Sequence, residues 1–169
     1  MDTLTKTILQ PLQSEHYPQV KAIYEQGIAT GNATFETTAP TWETWNMSHL
    51  PHSRFVALTD AGEVGGWAAL SPVSGRCVYG GVAEVSVYVH ENFRGQGLGA
   101  RLLNQLITES EANGIWTLQA GIFKENEASV ALHQKCGFRM VGMRERIGKL
   151  HGKWRDTILL ERRSNLVGL

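Results

Sequence analysis

The stretch that decides the fold is Ala83–Gly114, which reads AEVSVYV (83–89), HENF (90–93), RGQGLG (94–99) and ARLLNQLITESEANG (100–114). The first piece alternates: Val85, Val87 and Val89 lie on one face, and Glu84, Ser86 and Tyr88 on the other. That is the period of a strand with two distinct faces. The last piece has the period of a helix, with Leu98, Leu102, Leu103 and Leu106 in one stripe and Asn113-Gly114 as a stop signal. Between them, Arg94-Gly95-Gln96-Gly97-Leu98-Gly99 is a glycine-rich turn opening onto a helix start. Free backbone N–H groups there, with the helix dipole, form an anion site. The expectation is that the turn holds a pyrophosphate and that Glu84 faces the chemistry.

Upstream, Thr7–Leu12 reads as a first strand and Ser14 as a cap for a helix with Pro18 in its first turn. Val20, Ile23, Tyr24 and Ile28 continue that helix to Gly31. Residues 32–40 are irregular, and a second helical piece starts at Thr41. Arg54–Thr59 and Val64–Leu70 read as antiparallel strands about the turn at residues 60–63, with Gly65-Gly66 marking a bulge and Pro72 a stop. Ser71–Gly81 is a loop. Downstream, Trp116–Phe123 alternates as a strand, and Asn126 caps a helix that runs to Cys136. Arg139–Ile147 and Lys153–Leu160 form a hairpin around His151-Gly152. The pattern predicts a mixed α/β domain with a largely antiparallel first half.

At 169 residues the chain is expected to be one domain, residues 1–169, with a core over about 7–160. Its 16 basic and 16 acidic residues cancel, so no basic excess points to nucleic acid or to an anionic membrane surface. No apolar run approaches membrane-spanning length, and the N-terminus lacks a basic-then-apolar signal pattern; the expected location is cytoplasmic. Cys77 and Cys136 lack metal-ligand spacing and read as two thiols in a reducing compartment. His49, His52, His90 and His151 do not assemble a metal set, and Ser86 lacks a nucleophile elbow, so no metal and no covalent enzyme intermediate is expected.

The glycine turn admits several readings. A dinucleotide fingerprint wants G-x-G-x-x-G in a βαβ unit. Gly95, Gly97 and Gly99 lack that spacing, and a hairpin precedes them. A P-loop is excluded by the missing Gly-Lys-Ser/Thr. A tight turn that merely needs flexible φ remains open.

The segment Arg94–Gly99 closely resembles the R/Q-x-x-G-x-G/A acyl-coenzyme A signature of the GNAT N-acetyltransferase superfamily. Glu84–Val89 is similar to the E-x-S-V-Y-V strand of its phosphinothricin and methionine sulfoximine acetyltransferase-like branch. Ala120-Gly121-Ile122, then Asn126–Ser129, Leu132-His133 and Gly137-Phe138, resemble that branch's A-G-I…N-x-x-S-x-x-L-H…G-F, and Gly152–Asp156 its G-x-W-x-D. The resemblance implies the acyl-CoA N-acyltransferase fold: a mixed central sheet with a splayed central strand pair, flanked by helices. It implies acetyl-CoA as cosubstrate, a small amino-acid-like acceptor and a homodimer.

The resemblance also implies roles. Glu84 is the candidate base that takes the amine's proton. Val87 and Val89 offer backbone groups to the thioester carbonyl and the pantetheine arm. Arg94, Gly95, Gln96, Gly97, Gly99 and Ala100 form the pyrophosphate cradle. Asn126 and Ser129 stand beside the pantetheine arm, a role compatible with capping the helix. His133 stands where many members carry a Tyr general acid, and protonates the leaving thiolate or organises water; as a residue in its own right it is a helix histidine. Phe35, Glu36, Arg76 and Tyr79 fall at substrate-side positions, with Arg76 and Tyr79 suited to grip a carboxylate. Trp154 and Asp156 fall at the dimer or pocket rim. Other acceptors left open are a protein N-terminus or another small amine, and the non-enzyme alternative is an acyl-CoA-binding regulator.

Overall fold

A computed structural model describes residues 4–169. Its elements follow the chain as β1 (Thr7–Pro11), α1 (Tyr17–Thr30), α2 (Trp42–Ser48), β2 (Phe55–Thr59), β3 (Val64–Pro72), β4 (Val82–Val89), α3 (Leu98–Ala112), β5 (Thr117–Phe123), α4 (Glu127–Lys135), β6 (Arg139–Leu150) and β7 (Lys153–Arg163). The seven strands form one sheet in the order β1-β2-β3-β4-β5-β7-β6. Pairing is antiparallel throughout except between β4 and β5, which α3 connects as a crossover.

The two faces of β4 bury different partners, as the alternation predicts. Ala83 and Val85 join Leu98, Leu102, Leu103 and Leu106 of α3 in one core, together with Leu118, Ala120, Ile122, Ile158 and Leu160. On the opposite face Tyr88 stacks on Trp67 and joins a second core that holds Val20, Ile23 and Trp45, beneath α1 and α2. Helix α1 comes so close to β4 that a Cβ at Gly27 would lie 2.6 Å from the Tyr88 ring, so only glycine fits there. The expected bulge is present: Ala57 pairs with Gly66 and Leu58 with Val64, leaving Gly65 unpaired.

One expectation needs adjustment. Ser14 does not cap a helix; Gln13 precedes a 3₁₀ turn at Ser14–His16, which leads into α1. The final hairpin is folded so that β7, not β6, lies against β5. Strand β7 carries Ile158 and Leu160 into the core, whereas β6 is exposed along most of its length, as suits an outer strand.

Candidate active site

Strands β4 and β5 are joined by only three pairs, Val82–Thr117, Ala83–Leu118 and Glu84–Gln119. Beyond these, β4 stays paired to β3 as far as Val89, and β5 to β7 as far as Phe123, but they no longer pair with each other. The sheet opens there as a V. A cavity of about 900 Å³ occupies the opening and reaches both faces.

Glu84 sits at the vertex, half-buried, and Gln119 Nε2 donates to its Oε1 at 3.2 Å. Directly paired residues share a face, so Glu84, Gln119, Gly121 and Phe123 look toward α1. A Cβ at Gly121 would meet Glu84 Oε1 at 4.0 Å and nothing nearer, so the space in front of the carboxylate is open.

On the α3 face the cavity is walled by backbone. Gly95 and Gly97 both have φ +75°, a conformation that favours glycine, and an added Cβ at either would meet nothing within 4 Å. Gly97 is the N-cap of α3, without a side-chain cap and with no acidic residue in the first turn. Among the described residues the N–H groups of Leu98, Gly99 and Ala100 find no acceptor; the first backbone bond runs from Arg101 N to Gly97 O. These orphan donors at a dipole's positive end, in a turn with Arg94 at its head, fit a pyrophosphate. Gly99 lets α3 approach α4: its Cβ would lie 3.1 Å from Leu132.

On α4, Asn126 Oδ1 accepts from Ser129 N at 3.2 Å, the cap read from sequence, and Asn126 Nδ2 donates to Asn32 O at 3.1 Å. His133 is 5% exposed and its Nδ1 lies 2.7 Å from Ser129 O. A carbonyl only accepts, so Nδ1 carries the proton. Burial pushes the imidazole below its ordinary value near 6.5, so the ring is neutral at neutral pH and Nε2 is an acceptor. A donor's role toward the leaving thiolate requires the cation, which this burial opposes.

Of the expected residues, Phe35, Glu84, Val87, Val89, Arg94, Gly95, Gly97, Gly99, Ala100, Asn126, Ser129 and His133 line the cavity. Gln96, Glu36, Arg76 and Tyr79 do not. Gln96 turns away, and its Oε1 accepts from Thr5 N. Glu36 is exposed outside the lining. The turn at Cys77–Tyr79 carries Arg76 and Tyr79 into solvent, where the guanidinium lies 5.5 Å from the Tyr79 ring centre. Sequence reasoning passed over Arg144 and Ile147, which line the cavity from β6, and Arg155. Arg155 donates to Gly31 O at 2.7 Å, Asn32 Oδ1 at 2.6 Å and Glu125 Oε2 at 3.3 Å, and stacks 4.1 Å above Phe123. It thereby staples the 31–35 loop over the cavity. Phe35 meets Phe123 edge-on at 4.7 Å, and its ring would lie 3.0 Å from a Cβ on Gly148.

The pattern that defines the acetyltransferase (GNAT) family matches residues 20–138, which span the V, the glycine turn and both helices beside it. The chain belongs to this family. Within the GNAT acetyltransferases it falls in the phosphinothricin and methionine sulfoximine acetyltransferase-like branch. It is 32% identical over 152 residues to an L-methionine sulfoximine/L-methionine sulfone acetyltransferase of Pseudomonas aeruginosa, covering 85% of this chain and 87% of that one. It superposes with TM-score 0.87 and 29% identity on a GNAT superfamily phosphinothricin acetyltransferase from Sinorhizobium meliloti in complex with AcCoA, covering 96% of this chain and 90% of the other. A ribosomal-protein-alanine N-acetyltransferase from Brucella melitensis superposes with TM-score 0.85 and 29% identity, over 93% and 99% of the two chains. Among the described residues no three His, Cys, Asp or Glu side chains form a metal-binding group, and no helix is long and apolar enough to cross a membrane.

Proposed function

We propose that this GNAT acetyltransferase moves an acetyl group from acetyl-CoA to the α-amine of a small amino acid or close analogue, with phosphinothricin and methionine sulfoximine or sulfone as the acceptor type. The observation that carries the reading is the V between β4 and β5, with a cradle of orphan N–H groups on one face and the Glu84 carboxylate on the other. When bound, acetyl-CoA supplies an activated acyl group. Leu98, Gly99 and Ala100, with Arg94, hold its pyrophosphate away from the reacting carbon. The open edge of β4 at Val87 and Val89 offers main-chain groups to the thioester carbonyl and the pantetheine arm, and Asn126 and Ser129 flank that arm.

An ammonium cannot attack. Glu84, held by Gln119, takes its proton directly or through water. The C–N bond forms as the C–S bond breaks; the amine's second proton passes to solvent, or to Glu84 once it has shed the first to solvent, and coenzyme A leaves as a thiolate that takes its proton from solvent. His133, neutral and with Nε2 as acceptor, orders water beside the arm. Phe35 and the loop that Arg155 staples close the acceptor end, which suits a compact acceptor better than an extended peptide. The homodimer belongs to this reading: β6 exposes Met140, Val141, Met143 and Ile147 on an outer strand, and sedimentation equilibrium checks it.

The test is thiol release from acetyl-CoA with free amino acids, methionine sulfoximine, phosphinothricin and short peptides. Turnover of the small acceptors supports the reading. Turnover on peptides alone replaces it with N-terminal acetylation, and acetyl-CoA binding without turnover on any amine replaces it with a regulator.

A further inference from the structure

Strand β6 is interrupted where it passes the cavity. Arg144 pairs with Thr157 and Gly148 with Arg155, so Glu145, Arg146 and Ile147 stand opposite Asp156 alone. Arg146 adopts φ 47°, a left-handed conformation uncommon for a non-glycine residue. Asp156 pins it there. Its Oδ1 accepts from Arg146 N at 2.7 Å and its Oδ2 from Lys124 Nζ at 2.9 Å, and these two bonds hold its carboxyl below the usual range and ionised. A bulge re-aims the side chains around it. Here Arg144 and Ile147 both line the cavity.

The register fixes which side Arg144 serves. Arg144, Thr157 and Phe123 are successive partners across β6, β7 and β5, and so share the face of Glu84, Gly121 and Phe35. The other cations lining the cavity are Arg94, at the glycine turn, and Lys135, at the end of α4. Both belong to elements of the opposite side. On the acceptor side, Glu125 is answered by Arg155 and Glu84 is held by a neutral amide. Among the described residues Arg144 has neither an ion-pair partner nor a hydrogen-bond acceptor. An anionic acceptor entering beside Glu84 therefore meets one free guanidinium, a planar fork suited to paired oxygens.

We infer that Arg144 is the specificity-determining residue of the acceptor site, gripping an anionic oxygen group of the acceptor, a carboxylate or a phosphinate. It takes the place that sequence gave to Arg76. The inference rests on the proposed acetyl transfer to a small amino acid.

The experiment measures kcat and KM by thiol release for the wild type, Arg144→Lys and Arg144→Gln. The acceptors are phosphinothricin, methionine sulfone and the α-amide of methionine sulfone. Arg144→Gln raises the acceptor KM about tenfold or more wherever the gripped anion is present, Arg144→Lys restores part of it, and the KM for acetyl-CoA does not move. If the α-carboxylate is gripped, phosphinothricin and the sulfone both respond and the amide does not. If the side-chain anion is gripped, phosphinothricin alone responds. An acceptor KM within twofold of wild type for every acceptor, with normal turnover, overturns this inference and leaves the acetyl transfer standing. Absence of turnover by the wild-type enzyme on all three overturns both. Since Arg144 is exposed and bonded to nothing else described, the variants are expected to fold, which thermal melting verifies.

Discussion

The two sides of the cavity are built from different materials. The α3 side is backbone: two glycines at positive φ and three uncapped N–H groups within residues 95–100. The side proposed for the acceptor is side chains gathered from distant segments: Phe35 after α1, Glu84 on β4, Arg144 and Ile147 on β6. On the proposed reading the backbone cradle takes what never varies, the pyrophosphate of a common cosubstrate. A wall of side chains can be changed one residue at a time, which suits the acceptor choice proposed for it.

Substitutions should separate the two sides. The largest effect is expected for Glu84→Gln, which keeps shape and the Gln119 neighbour but removes the base. kcat should fall about 10²- to 10⁴-fold, while the Kd for acetyl-CoA, measured by calorimetry, stays unchanged. A matching loss of acetyl-CoA affinity would show that the two sides are not independent. Next, Gly97→Ala forces a Cβ into left-handed backbone at a cost of about 1–2 kcal/mol. Because nothing lies within 4 Å of that Cβ, the effect is conformational, and the KM for acetyl-CoA should rise about tenfold with the acceptor KM unmoved. Phe35→Ala should do the reverse. The loss of an aromatic pair worth about 0.5–1.5 kcal/mol raises the acceptor KM several-fold and spares acetyl-CoA.

The smallest effect concerns pH. Burial lowers the folded-state values of His49 and His133 below their ordinary value near 6.5. The unfolded chain then binds more protons in the window below that value, so stability is full above it and declines as pH falls through it. Thermal melts at pH 8 and pH 5 should show the decline, and replacing His133 with Gln should shrink it. Equal melts would show that the two rings are not held neutral.

The same division decides what could be read from the sequence. Strand, turn and helix from Glu84 to Ala112 are contiguous, so periodicity and glycine spacing reveal them, as the Asn126 cap is revealed by its neighbour Ser129. The acceptor wall depends on which strands meet. The hairpin at His151-Gly152 is local and readable, but its orientation against β5 is decided by the burial of Ile158 and Leu160 relative to an exposed β6. Arg144 was hidden because three bulged residues break the period-two count that would have assigned its face. Arg155 was within reach, since it lies two residues from Thr157 and therefore on the same face. Arg76 was misplaced for want of the loop's path, which no local pattern contains.

The three-pair seam between β4 and β5 also bears on how the chain folds. Strands β1 to β4 each pair with their neighbour in sequence, and β5 to β7 assemble within residues 117–163. The hairpins β2–β3, β3–β4 and β6–β7 rest on pairs closer in sequence than the seam, which must close the long α3 crossover, whereas β1–β2 and most of β5–β7 span as much chain or more. The expectation is that these hairpins form first and the seam closes after them. In pulse-labelled hydrogen exchange, amides of β2 and β3 should gain protection before those of Ala83 and Leu118. Glu84 meets Gln119 only when the seam closes, so the proposed catalytic vertex would form after those hairpins.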